Sequence, residues 1–333
     1  MKNIFFLLVF LSCSLKGEIP LESKIYVAGH DGLVGRAIVK KLEDKGYEHI
    51  IVRTSKELDL RSRKETLAFF EEERPDYVFL VTERVGGMLA NPLNEAECIP
   101  LDKAACIDSS WMPSPNIIHS AAITDVKKVL ILGSTCLYPH DYLITSPLEI
   151  TNDGYAITKL APFHLGHKYH QKFDTNYICL MPVNLYGPFD NFDFNTNSQV
   201  LPALIRKFIE AKENHLPNVK LWGSEKPLLD FFEFLHVEDL ADASLFLMNH
   251  YDEPDIINAG CGKDISIFDL AMLIKERVGY EGEILFDASK PDGAPRKVTS
   301  IEEIENLGWS PTISLTEGID STIDWFLNNR DLW

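Results

Sequence analysis

Short apolar runs at residues 25–28, 50–53, 77–81, 129–132 and 177–182 alternate with longer stretches at 35–45, 64–73 and 154–173 in which apolar positions recur at helical spacing. Strands that alternate with helices of this length predict βαβ units and a parallel sheet. In the first helical stretch Leu33, Val34, Ala37, Ile38 and Leu42 mark the buried face. The third opens behind Thr151-Asn152-Asp153, each of which can cap a helix start. Residues 89–114 contain Pro92, Pro100 and Pro113, so a helical pattern is broken there before it resumes at 116–122.

Beyond Tyr186 the elements become shorter. Residues 186–199 are asparagine-rich and aperiodic, 232–236 reads as a strand, and 201–212, 269–278 and 316–327 read as helices. The expected architecture is α/β: a doubly wound parallel sheet over 24–184, then a smaller α/β unit over 185–333 with residues 230–260 crossing back to the sheet. Trp222, Trp309 and Trp325 are expected to serve the core. Residues 1–20 form an apolar leader. Its eight apolar residues, Ile4 to Leu11, are too few to span a bilayer as a helix. It reads either as a secretory signal or as an extension on a cytoplasmic protein, and the cytoplasm is the expectation.

Composition narrows the function. The 333 residues, 45% of them hydrophobic, can bury a sizeable core. A net charge of -18, from 32 basic and 50 acidic residues, argues against a nucleic acid or an anionic membrane as partner. The six cysteines contain no CxxC pair, so neither a zinc site nor a disulfide framework is signalled. His164, His167 and His170 share a helix without an HExxH motif, and no metal is expected.

The candidate chemistry begins at Gly29, Gly32 and Gly35, which fall on a strand-to-helix turn. Such a turn lets backbone N–H groups approach a diphosphate, although GxxGxxG also occurs in ordinary turns. Arg53 ends the second strand run, where a doubly wound fold reads the adenosine ribose. An arginine there suits a 2′-phosphate, hence NADP over NAD, or is simply solvated. Tyr155 and Lys159 lie four residues apart on one helix face. A phenol beside an ammonium can protonate a carbonyl under reduction, and a solvated face is the alternative. The strand run at 129–132 leads into Ser134 and Cys136, placing a hydroxyl and a thiol where open α/β sheets bind ligands.

Together these residues resemble the extended short-chain dehydrogenases/reductases, and within them the subgroup that epimerises and reduces GDP-4-keto-6-deoxy-mannose with NADPH. The resemblance runs from about Lys24 to the C-terminus. It rests on Ala28-Gly-His-Asp-Gly-Leu-Val-Gly35, Arg84-Val-Gly-Gly87, Gly133-Ser-Thr-Cys-Leu-Tyr-Pro139, Tyr155-Ala-Ile-Thr-Lys159 and Asn184-Leu-Tyr-Gly-Pro188. Phe234-Leu-His-Val-Glu-Asp239 and Phe286-Asp-Ala-Ser-Lys-Pro-Asp-Gly-Ala-Pro-Arg-Lys297 continue it. It implies a Rossmann-type fold, NADPH (NADP), a GDP-sugar substrate and a homodimer. It also implies Ser134, Tyr155 and Lys159 as the reductase triad and Cys136 as the base for epimerisation. Arg206, Lys207, Trp222 and Lys290 are its substrate contacts.

The chain departs from the subgroup at four places. Gln199 stands where a proton-exchanging histidine is expected, and glutamine exchanges no proton near neutral pH. His140 is a substitute or a solvated loop residue. Phe232 replaces a diphosphate-binding arginine, Asp31 replaces a basic residue near the 2′-phosphate, and Pro162 should kink the helix of Tyr155.

Overall fold

The computed structural model describes residues 17–82, 112–135, 153–193, 198–223, 231–289 and 299–332, with side chains from residue 160 onward in the helix that begins at Asp153. The leader at 1–16, Cys136, His140, Lys290 and the side chains of Tyr155 and Lys159 lie outside what is described.

The strands are β1 (Ile25–Ala28), β2 (Ile50–Ile51), β3 (Tyr77–Leu80), β4 (Lys128–Leu132), β5 (Asn176–Pro182) and β6 (Asn184–Tyr186). They continue as β7 (Asn218–Trp222), β8 (Phe231–His236), β9 (Ile256–Ala259), β10 (Asp264–Ser266) and β11 (Glu283–Asp287). Helices α1 (Leu33–Asp44), α2 (Arg63–Glu73), α3 (Pro113–Ile123) and α4 (Asp153–His170) precede β5. Helices α5 (Val200–Glu213), α6 (Val237–His250), α7 (Ile267–Val278), α8 (Glu302–Asn306) and α9 (Leu315–Asn328) follow.

Six strands form one parallel sheet in the order β2-β1-β3-β4-β5-β9. Successive strand residues face opposite sides, which sorts the core in two. Ile25, Val27, Phe79, Leu130 and Leu132 pack with Ile38 and Leu42 of α1 and Leu240 of α6. Tyr26, Ala28, Val78, Val129 and Ile131 pack with Phe69 and Phe70 of α2 and Ile117 of α3. The sheet is therefore covered on both faces, as a parallel sheet requires. The connections leave β1 toward β2 on one side and β3 on the other. This is the reversal point at whose carboxyl edge open α/β sheets bind ligands.

Several expected boundaries shift, and the helix expected from residue 116 already begins at Pro113, in its first turn. The second strand run ends at Ile51 rather than 53, because only Ile50 and Ile51 pair with β1 and the chain then turns so that Arg53 meets Glu73 on α2. The helix expected over 154–173 ends at His170, and Phe173 closes a turn on the Tyr169 carbonyl at 2.8 Å. Helix α4 continues through Pro162 even though that residue has no N–H to donate. Tight seating on the sheet holds it: a Cβ on Gly166 would stand 2.7 Å from Ile131 Cδ1.

A second core gathers Leu204, Ile205 and Phe208 of α5, Leu270 and Ile274 of α7, and Ile319 and Phe326 of α9. Strand β8 pairs with β6 and β10, and β7 pairs with β11. The expectation for tryptophan splits. Trp309 is buried and donates to Asp242 at 2.9 Å, and Trp325 stacks on Phe192. Trp222 corrects the core expectation. It is 44% exposed at the end of the two-stranded β7–β11 sheet.

Candidate functional site

The turn after β1 is built by steric necessity. Gly29 has φ +94°, and a Cβ there would meet the Val81 carbonyl oxygen at 2.7 Å. A Cβ on Gly35 would stand 2.0 Å from the Gly29 oxygen, so helix α1 can approach β1 only with glycine there. Gly32 differs: the nearest atom to a Cβ lies 3.6 Å away, so its outer side is open. It is also the N-cap of α1 and supplies no side-chain oxygen to the first turn. The first-turn N–H groups of a helix lack intrahelical acceptors and carry partial positive charge. The first turn of α1 holds no acidic residue to compete with an anion. His30 Nδ1 and Thr82 Oγ1, beside this turn, are buried without a hydrogen-bond partner among the described residues.

At the neighbouring strand end, Gly133 N–H donates to Leu180 O at 2.8 Å and Thr135 Oγ1 donates to Pro182 O at 3.1 Å. These bonds fix Ser134 between them at the carboxyl edge of β4. A cavity of about 300 Å³ brings Gly32, Ser134, Asn184, Asp190 and Gln199 into one wall. Helix α4 joins parallel strands β4 and β5, so its start, with the backbone of Tyr155 and Lys159, lies at this same edge.

Asp190 was not legible in the sequence. It sits in the aperiodic, polar-looking 186–199 run, yet it is only 5% exposed. Burial pushes its carboxyl up to about 7, partly opposed by the Asn191 N–H that bonds it. Its position two residues after Asn184-Leu-Tyr-Gly-Pro188 was the available signal.

The remaining described side-chain candidates, Arg53, Arg206, Lys207 and Trp222, do not line that cavity. Arg53 donates through Nη1 to Val52 O at 2.8 Å, pairs through Nη2 with Glu73, and lies over the Phe69 ring. Arg206 binds Glu210 at 2.6 Å and the Phe192 carbonyl at 2.9 Å, tying α5 to the loop before it. Lys207 Nζ sits 5.4 Å from the centre of the exposed Trp222 ring, and burial lowers its proton affinity. Phe232, in place of the expected arginine, packs toward Phe234. Among the described residues no group of three or more His, Cys, Asp or Glu is placed to hold a metal ion.

Comparison with known proteins gives a consistent picture. The family model described as NAD dependent epimerase/dehydratase matches residues 25–260. GDP-L-fucose synthase 1 of Arabidopsis thaliana is 44% identical over 316 residues, covering 92% of this chain and 94% of that protein. The solved structure of a GDP-L-fucose synthetase from Naegleria fowleri bound to NADP superposes with a TM-score of 0.83 at 26% identity, covering 96% of each chain. A GDP-6-OMe-4-keto-L-xylo-heptose reductase from C. jejuni superposes with a TM-score of 0.81 at 30% identity, covering 94% of this chain and 99% of that one. The chain belongs to the NAD dependent epimerase/dehydratase family and, within it, to the group of the GDP-L-fucose synthases.

Proposed function

We propose that the chain uses NADPH to convert GDP-4-keto-6-deoxy-mannose to GDP-L-fucose, by epimerisation at C3 and C5 followed by reduction of the 4-ketone. The observation that carries this reading is the shared cavity, in which the open side of Gly32 and Ser134 face one space. The residues present fit a dinucleotide. Gly32 leaves room for a diphosphate against the α1 N–H groups, and the unpartnered His30 Nδ1 and Thr82 Oγ1 await a polar ligand. Arg53 holds the 2′-phosphate, and Gly29 and Gly35 shape the turn. Residues 24–184 form the cofactor-binding unit, and 185–333 mainly the substrate unit, with 230–260 returning to the sheet.

Bound NADPH supplies the hydride that reaches C4. Tyr155 gives its phenolic proton to the ketone oxygen, and the Lys159 ammonium favours the phenolate that this leaves. The Ser134 hydroxyl donates to the same oxygen and fixes the carbonyl's orientation. Protons α to the ketone are acidic enough for the Cys136 thiolate to remove. Of the substrate contacts, Lys207 and Trp222 offer a cation and an exposed ring to the nucleotide, joined by Lys290. Arg206 acts through the 189–193 loop that it braces. The enzyme works as a cytoplasmic homodimer. Among the described residues no helix is long and apolar enough to cross a membrane.

A second reading, 4-keto reduction without epimerisation, is favoured by Gln199, which lines the cavity where a proton-exchanging side chain is needed. Turnover in D2O followed by NMR of the product separates the two. Deuterium at C3 and C5 with the L-fucose configuration supports the first reading. A reduced sugar lacking that deuterium establishes the second, and no substrate-dependent NADPH oxidation defeats both.

A further inference from the structure

Arg36 follows Gly35 directly and stands exposed on α1. Its Nε donates to Asp31 O at 2.9 Å, and its guanidinium carbon lies 4.8 Å from the centre of the Phe189 ring. Its Nη groups meet no acceptor among the described residues. The neighbouring cations on α1 are paired: Lys40 bonds Glu238 and Lys41 bonds Asp242, each at 2.5 Å. Arg36 therefore presents a held guanidinium edge with unspent donors beside the glycine turn.

Phe189 helps hold that edge. Its backbone stands at φ +69°, a region that a bulky side chain rarely adopts, and Trp325 packs against its ring at 4.8 Å. The ring lines two hollows. One is the cavity of Gly32 and Ser134, which Arg36 does not line. The other is a depression of about 340 Å³ that Arg36 shares with His30 and Val52. That depression adjoins Arg53, whose Nη1 donates to Val52 O at 2.8 Å. Arg53 and His30 both lie within electrostatic reach of Glu57. One strip of surface thus runs from Arg53 past His30 to Arg36, outside the wall where Gly32 leaves room for a diphosphate.

The charges along this strip require a second cation. Asp31 and Glu57 are exposed carboxylates, and Arg53 is already paired with Glu73. Arg53 alone does not make the strip positive, and an arriving phosphate would meet like charge on the turn itself. Arg36 sits on the Asp31 carbonyl and supplies the missing charge.

We propose that Arg36 is a specificity-determining residue of the cofactor site, its guanidinium edge binding the 2′-phosphate of NADPH together with Arg53. The proposal rests on the NADPH-dependent reading above. A phosphate accepts from the planar fork of each arginine, and its arrival displaces water rather than a protein partner of the Arg36 Nη groups. NADH offers the same place only a ribose hydroxyl, so Arg36 discriminates between the two cofactors.

Equilibrium fluorescence titration with NADPH and with NADH, on the full chain and on Arg36→Gln and Arg36→Glu, tests this, with urea unfolding as the check on folding. The wild-type chain should bind NADPH more tightly than NADH. Arg36→Gln should weaken NADPH about tenfold while NADH moves less than about twofold. Arg36→Glu should weaken NADPH further, because a charge contact worsens on reversal. Unchanged NADPH affinity in Arg36→Gln overturns the proposal, as does a reversal no worse than the neutral variant. An equal loss for both cofactors also overturns it, by assigning Arg36 to the diphosphate or to the shape of the turn. Should both variants unfold, Arg36→Lys decides, since it keeps the charge and loses the fork: a loss confined to NADPH supports the proposal, and its absence overturns it. A wild-type chain that binds NADPH no more tightly than NADH overturns it differently, by removing the NADPH reading itself.

Discussion

Gly35 packs so tightly on Gly29 that a Cβ at position 35 would stand 2.0 Å from the Gly29 carbonyl oxygen, a backbone atom that cannot yield. Gly32, three residues earlier, has no such neighbour. Gly35→Ala should therefore cost about 1–3 kcal/mol in urea unfolding and weaken NADPH binding at least tenfold, because α1 must shift off β1. Gly32→Ala should change stability by less than about 0.5 kcal/mol. It should still weaken NADPH binding in a fluorescence titration, because its Cβ enters the ligand's space.

Arg53 tests the phosphate preference. Its pair with Glu73 is partly exposed, so Arg53→Ala should lower stability by less than about 1 kcal/mol. Loss of a charge-assisted contact to the 2′-phosphate should raise KM for NADPH about tenfold. KM for NADH should move less than about twofold, and equal changes for both cofactors would remove Arg53 from that role.

Lys128 anchors the end of α6 to the sheet. Its ammonium bonds Met248 O at 2.8 Å, Tyr251 O at 2.9 Å and Asp252 Oδ1 at 2.7 Å, and its side chain is 9% exposed. Lys128→Met would strand these acceptors. The expected cost is about 3 kcal/mol in urea unfolding, near the low end for a broken buried pair because Asn176 still donates to Asp252 at 2.6 Å.

Stability should carry the imprint of Asp190. Its carboxyl titrates at about 7 folded, against 3.8 for an ordinary aspartate, so the folded state binds its proton more tightly. That contribution is complete below pH 3.8 and is lost as pH rises to about 7, at up to about 1.4 kcal/mol per unit, then stays constant. Asp190→Asn should remove this slope, so its stability relative to wild type should rise between pH 4 and 7. Parallel curves for the two proteins would contradict the buried, protonated carboxyl.

Local pattern alone placed five of the six sheet strands, helices α1, α2 and α4 and the glycine turn, because period-2 and period-3.6 burial are written directly into residue order, whereas β9 and α6 were not among the expected elements. Ile25 with Val27 and Tyr26 with Ala28 already declare two covered faces. Motif strings likewise carried Ser134, Tyr155 and Lys159 as candidates, since their chemistry depends on residue type and spacing. What the chain order could not hold was distance between segments far apart in sequence. Arg53 and Glu73 meet because the chain after β2 turns toward the end of α2, and Trp222 is exposed at the end of a two-stranded sheet. Asp190 stands in an asparagine-rich, aperiodic run that marks no buried position. Only the folding of its turn against the cavity withdrew water from Oδ2 and supplied no donor in return, and that desolvation is a tertiary property.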